Sequence, residues 1–262
     1  MQPDLSNRVA VVSGGSSGIG RAVAILLAKH GAQVYICDLR LRDENWQVFS
    51  ELGIIEQVCN VQSNQEIQQW IGNVLQRTKG IDILVNNAGI VLVKQITDAT
   101  EAEWDACLDT NLKAAFLISK LVIPSMQKRG GGCIVNISSN AGILPRAHDP
   151  IYSTSKGALM AFTRSLALSH SVDRIRVNAV CPGPVAETEI IEQTMALKTD
   201  RAAAAIQLIE ASPLARALGR MISPEEVAQA VLYLVSDVAA MVTGTAIAID
   251  GGKSLGVPPI NH

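Results

Sequence analysis

Seven short runs rich in β-branched and other apolar residues recur along the chain, at 8–13, 33–37, 54–59, 81–85, 132–137, 175–180 and 245–250. The first of them has no polar residue between Val9 and Val12, the pattern of a strand covered on both faces. Most are followed by a turn of Gly, Asn, Ser or Pro and then by a helix-forming stretch. The clearest helices lie at 21–30, closed by Gly31; at 103–126, with apolar residues three and four apart; at 152–170; and at 223–236, opened by Ser223-Pro-Glu-Glu226. Residues 187–213 are Ala-rich and helical in composition but lack a clean apolar stripe, so we expect a mobile cover over a substrate site at about 184–213. Strand alternating with helix predicts an α/β fold, a doubly wound parallel sheet with helices on both faces. No linker, repeat or low-complexity tract interrupts the pattern, so one domain spanning 1–262 is expected.

Composition narrows the function. Charged residues are 18% of the chain against 48% apolar, and net charge is −2 with no long basic block, so neither nucleic acid nor a membrane surface is an expected partner. The five cysteines are scattered, and the four histidines have no ligand spacing, which argues against disulfides and a metal site. With no leader-like segment and no apolar run long enough to span a bilayer, a cytoplasmic protein acting on a small molecule is expected. The low charged fraction also suggests that other subunits cover part of the surface.

The candidate chemistry follows the strands. After the first comes Gly14-Gly15-Ser-Ser-Gly18-Ile-Gly20, which is Gly-x-x-x-Gly-x-Gly rather than Gly-x-Gly-x-x-Gly. A glycine turn feeding a helix start suits a pyrophosphate, whose charge meets unpaired N–H groups and the helix dipole. Asp38 ends the second strand, where a carboxylate accepts ribose hydroxyls and repels a 2′-phosphate; this favours NAD over NADP, despite Arg40 nearby. Asn60-Val61 follow the third strand, Asn86-Asn-Ala-Gly89 the fourth and Ser138-Ser139 the fifth, while Cys-Pro182-Gly183-Pro184 ends the sixth. Asn111 falls in the middle of a long helix, where its amide needs a partner if buried. Tyr152 and Lys156, four apart on a helix, stack on one face. A tyrosine serving as a base near neutrality requires its phenolate to be stabilised by about 3–4 kcal/mol, which a desolvated Lys⁺ beside it can supply.

In order and spacing these motifs resemble the short-subunit branch of the short-chain dehydrogenase/reductase family over essentially the whole chain, to Ile249-Asp-Gly-Gly252. The resemblance implies a Rossmann-like sheet of seven strands, NAD(P) across the strand ends and a homotetramer. It implies Tyr152 as general acid/base, Lys156 as the cation that lowers its pKa and binds ribose, Ser139 as the hydroxyl holding the substrate oxygen, and Asn111 as a proton-relay anchor. Cofactor contacts would come from Gly14, Ser17, Gly18, Ile19, Gly20, Asp38, Asn60, Val61, Asn87, Ala88, Gly89, Tyr152, Lys156, Pro182, Gly183 and Val185. Three positions depart from the family pattern: Ser13 stands for Thr, Asn60 for Asp, and Glu187 where Thr is usual, with Thr188 one residue late.

The activity implied is hydride transfer between NAD(H) and a secondary alcohol or ketone, such as a sugar, polyol, hydroxy acid or cyclic alcohol. Arg146 and His148 are the polar residues expected to face the substrate, and the tail 257–262 is a candidate to reach a neighbouring subunit. A non-catalytic dinucleotide-binding scaffold is the alternative from another class. An enoyl reductase is disfavoured, because that branch places Lys farther from Tyr, where this chain has Leu159.

Overall fold

The computed structural model describes residues 3–144, 146–196 and 199–256; the tail 257–262 lies outside them. Strands β1 (Val9–Ser13), β2 (Gln33–Asp38), β3 (Ile55–Val58), β4 (Ile83–Asn86), β5 (Gly132–Ile137), β6 (Ile175–Pro182) and β7 (Ala246–Ile249) form one sheet in the order β3-β2-β1-β4-β5-β6-β7. Every pairing is parallel. The order reverses between β1 and β4, where Ala10 pairs with Ile83, and a crevice opens there beyond the carboxyl ends.

Side chains of β1 alternate between two cores. Ala10 and Val12 face helices α1 (Gly18–Lys29), α2 (Trp46–Leu52) and α10 (Pro224–Val235); Val9 and Val11 face α3 (Asn64–Arg77) and α5 (Ala114–Arg129). The α2 and α3 helices lie outside the segments singled out from sequence. The second is nonetheless a regular amphipathic helix, burying Ile67, Trp70, Ile71 and Val74 and capped by Ser63, which accepts from the Glu66 N–H at 3.3 Å. Among the described residues no helix is long and apolar enough to cross a membrane.

Three expectations change. The helix expected at 103–126 is three pieces: α4 (Glu101–Leu108), a π turn over Asp109–Lys113, and α5. The sixth strand runs past the expected end at 180 to Pro182. A proline is tolerated there because the pairing with β5 stops at Ile137↔Val180, so no β5 carbonyl awaits its missing N–H. The segment at 187–213 is not one helix but α7 (Glu189–Ala196), α8 (Arg201–Glu210) and α9 (Pro213–Leu218), which follow α6 (Pro150–His170) and β6. The α8 helix starts on Asp200, whose carboxylate accepts the Ala203 N–H, and α9 has Pro213 in its first turn.

Glu187 adopts φ +57, one of three non-glycine residues with positive φ among those described. This left-handed residue turns the chain after Pro184, and Thr188 then opens α7, its hydroxyl accepting the Ile191 N–H at 3.4 Å. The position is exposed, so nothing but the backbone is at stake. Glu187→Gly should therefore raise stability by roughly 0.5–1 kcal/mol, whereas Glu187→Val should lower it. Urea midpoints of the two variants check this; a lower midpoint for the glycine variant would contradict it.

Candidate active site

A cleft of about 360 Å³ runs along the carboxyl edge of the sheet, lined by residues that follow all seven strands. At the β1/β4 seam, the Ser13 hydroxyl accepts both the Asn87 N–H at 3.1 Å and the Ala88 N–H at 3.2 Å. The Asn87 amide donates in return to the Ser13 carbonyl at 3.0 Å and the Gly14 carbonyl at 2.8 Å. The hydroxyl is what this seam uses, so Ser in place of Thr keeps the function of the position. Gly14 has φ +65, and a Cβ on Gly20 would lie 2.0 Å from the Gly14 carbonyl oxygen. Gly20 therefore acts from beneath the loop and does not line the cleft, whereas Gly14, Ser17, Gly18 and Ile19 do.

These residues fit a dinucleotide. The α1 helix begins without a side-chain cap and without an acidic residue in its first turn, leaving its first N–H groups for an anion. Asp38 lines the cleft at the end of β2; its two carboxylate oxygens accept the Ser16 N–H at 3.0 Å and the Leu39 N–H at 2.8 Å. Its charge is thereby fixed in place. Cys59, Asn60 and Val61 form the next stretch of wall, but the Asn60 side-chain oxygen already accepts the Gln62 N–H at 3.0 Å, closing a local turn.

At the other end β5 delivers Ser139 and α6 delivers Tyr152 and Lys156, all lining the cleft. Lys156 is 3% exposed; its ammonium donates to the Ile137 carbonyl at 3.0 Å and stands 5.9 Å from the centre of the Tyr152 ring. Burial pulls Lys156 down to about 8. Burial also pushes the Tyr152 phenol up, opposed by the neighbouring Ser139 hydroxyl and the Arg146 charge and reinforced by Asp149 and Cys107.

Asn111 is 2% exposed and sits in the π turn, behind the cleft wall. The wide turn explains how an asparagine is accommodated in this helical stretch. Its side-chain oxygen accepts the Ile90 N–H at 2.8 Å, while its amide donates to the Ile90 carbonyl at 2.9 Å and to the Ser155 hydroxyl at 3.0 Å. Ser155 in turn donates to the Tyr152 carbonyl at 2.7 Å, linking π turn, β4 loop and catalytic helix. Between them lies Gly89, where a Cβ would come within 3.2 Å of both the Asn111 oxygen and the Lys156 ammonium.

Pro182, Gly183 and Val185 line the cleft as expected, and so do Ala88, Gly89 and Arg146. His148 does not: it is exposed, and its ring nitrogen Nδ1 contacts the Gln95 amide at 3.0 Å, because the loop carrying it turns outward before α6. The Arg146 guanidinium donates to Asp149 at 2.9 Å and to the Asn140 oxygen at 2.7 Å. Thr188, one residue late in register, lies against Gly18. Two contributors escaped the sequence reading: Glu189 pairs with Arg42 from the far side of the cleft, and Lys253, just beyond Asp250-Gly-Gly, lines the substrate end. Lys253 had no local signal, since only the return of β7 beside β6 brings it there.

A family model described as enoyl-(acyl carrier protein) reductase matches residues 14–254. The chain is 36% identical to the 3-oxoacyl-[acyl-carrier-protein] reductase FabG of Thermotoga maritima, with 95% of this chain and 98% of that protein covered. It is 34% identical to an NAD-dependent glycerol dehydrogenase of Listeria innocua, over 96% of each chain. Among solved structures, the ligand-free aldohexose dehydrogenase of Thermoplasma acidophilum superposes with a TM-score of 0.90 at 30% identity, with both chains covered in full. The seam, the glycine loop and the Ser139, Tyr152 and Lys156 constellation thus sit in a chain that belongs to the short-chain dehydrogenase/reductase family of oxidoreductases.

Proposed function

We propose that the protein is an NAD-dependent dehydrogenase of secondary alcohols, acting as a ketone reductase in reverse. The observation that carries this reading is the convergence of Ser139, Tyr152 and Lys156 on the same cleft that holds the glycine loop and Asp38. A bound nicotinamide dinucleotide would supply the hydride donor or acceptor. Ser139 holds the substrate oxygen by its hydroxyl. Tyr152 gives a proton to that oxygen during ketone reduction and removes it during alcohol oxidation. Lys156 fixes the ammonium beneath the ring, and Asn111 clamps the Ile90 backbone. The Asn111 side chain is committed to Ile90 and Ser155, so its part in a proton relay is to position that backbone and the helix carrying Tyr152.

Asp38 supports NAD over NADP: its pinned carboxylate would face a 2′-phosphate with like charge. The segment at about 184–213 is taken as a mobile cover on a single domain, and the assembly as a cytoplasmic homotetramer. A scaffold without activity is not favoured, since each catalytic position holds a competent residue. The enoyl reductase activity in the family description finds less support, because the cation lies at Lys156, one turn from Tyr152, and Leu159 is apolar.

Three outcomes are expected. Tyr152→Phe lowers kcat by roughly 10²–10⁴-fold while NADH binding, followed by fluorescence titration, stays near that of the wild type. Because the phenol is raised, wild-type alcohol oxidation should also accelerate with rising pH; comparable turnover by the variant would sink the assignment. Asp38→Asn lowers the ratio of kcat/KM for NAD⁺ to that for NADP⁺ by about tenfold or more, the scale of one removed charge contact. An unchanged ratio would place cofactor choice elsewhere.

The third outcome concerns Lys156, whose folded pKa of about 8 lies below the ordinary lysine value of 10.5. The unfolded chain then binds more protons between these values, so stability rises with pH across that window. Below about 8 the buried charge costs the fold its full penalty; above 10.5 the penalty is gone. Melting curves of the wild type and Lys156→Met from pH 7 to 10.5 should show the wild type gaining on the variant. A constant difference would refute the depressed pKa.

A further inference from the structure

The substrate end of the cleft carries two cations that the reaction itself does not require. Lys253 projects into it from the turn after β7, and Arg146 from the loop before α6. Among the described residues the Lys253 ammonium has no hydrogen-bond or ion-pair partner. The nearest candidate on its own turn, Asp250, is otherwise engaged: its carboxylate accepts the Gly252 N–H at 2.9 Å, the Ser254 N–H at 2.8 Å and the Ser254 hydroxyl. Asp149 is likewise committed, to Arg146 and to the Ser153 hydroxyl at 3.1 Å.

Arg146 uses one N–H toward Asp149 and one toward Asn140, and a guanidinium has further N–H groups to give. Its charge is felt at both the Tyr152 phenol and the Lys253 ammonium, and burial together with Arg146 holds Lys253 below the usual lysine range. The Asp250 and Asp149 carboxylates act against this on Lys253, but their hydrogen bonds are made elsewhere, which leaves the ammonium itself for an anion to meet. The remaining wall here is largely apolar, with Val91, Val93, Ile190 and Leu208.

We propose that Lys253, with Arg146 beside it, forms a subsite for an acidic group, so that the preferred substrate is a secondary alcohol whose short apolar stem ends in a carboxylate. This rests on the dehydrogenase reading above and names its substrate class. The hydroxyl would lie at Ser139 and Tyr152, and the carboxylate would bridge the Lys253 ammonium and the free N–H groups of Arg146. A neutral sugar or cyclic alcohol would leave the half-buried Lys253 ammonium without a charged partner.

The test is a ladder of short secondary hydroxy acids, each beside its methyl ester and its parent alkan-2-ol, assayed with the full chain and NAD⁺. At least one hydroxy acid should exceed its ester in kcat/KM by roughly tenfold or more, the scale of a charge-assisted hydrogen bond. Lys253→Met should collapse that preference, mainly through KM, and Lys253→Arg should restore it. Arg146 is the less useful target, because its loss would also strip Asp149 and Asn140 of a partner.

Thermal shift of the protein without cofactor supplies a second readout: the corresponding keto acids should raise the melting temperature of the wild type and not of Lys253→Met. If esters and alkanols turn over as well as the acids, the subsite is refuted while the dehydrogenase reading stands. If no alcohol turns over but the keto acids still give a Lys253-dependent shift, the subsite stands and the dehydrogenase reading falls. Absence of both preference and shift overturns the proposal.

Discussion

The Lys156 ammonium rests in a place that water barely reaches, and much of the catalytic end is arranged around keeping it there. A buried cation has to be hydrogen-bonded to be tolerated, and here the Ile137 carbonyl at the end of β5 accepts from it. That requirement spreads outward. A side chain at Gly89 would crowd the ammonium and the Asn111 oxygen, each 3.2 Å from where a Cβ would stand. The Lys156 carbonyl, exposed by the same close approach of helix and strand, accepts the Ser138 hydroxyl at 2.9 Å, so β5 and α6 are tied at both ends of one residue. The result is a strained electrostatic balance in which lysine is depressed and tyrosine raised, the state of a site poised to respond when a charged or polar ligand displaces the remaining solvent.

The second constraint lies at the β1/β4 seam. Parallel strands that diverge leave backbone N–H and C=O groups without ladder partners, and the loops after them must satisfy those groups internally. Ser13 and Asn87 make four hydrogen bonds across the gap, so these backbone groups are satisfied while the crevice stays open. Asn87 is thus occupied in shaping the crevice, and its exposed edge is what remains for a ligand. Asn60 and Arg146 show the same economy: each lines the cleft while its principal hydrogen bonds are made to the protein.

The sheet was legible because seven buried strands leave seven apolar runs, and turn residues mark where each ends. The parallel, doubly wound character followed from the alternation with helices, while the strand order came from the structure. Site residues at strand ends were legible for the same reason: Asp38, Gly89, Ser139 and Pro182 are fixed by the positions of the strands that precede them. Where side chains from distant segments meet, the sequence was silent. The π turn at Asn111 depends on a partner, the Ile90 backbone, that no local pattern reveals. His148 and Arg146 are two residues apart and equally polar, yet only the path of the loop decides that one faces Gln95 and the other the cleft. Helix boundaries within 187–213 were obscured because alanine favours helix everywhere and marks no end.

The two sides of the cleft are held differently. Ser139, Tyr152 and Lys156 stand at the end of β5 and on α6, and these elements pack into the large cores on the sheet faces and into a small cluster around Tyr152. The α7 and α8 segment instead packs on itself, with Ile191, Met195 and Ala204 forming a small cluster of their own. It is joined to the cofactor half of the cleft at its root, where Thr188 lies against Gly18 and Glu189 pairs with Arg42. A few surface ion pairs and a small apolar cluster hold far less strongly than a strand ladder. On the proposed dehydrogenase reading, substitutions in α7 and α8 are expected to reshape one wall of the cleft while leaving the Lys156 and Tyr152 geometry in place, whereas substitutions at the Ser13 seam reach the crevice itself.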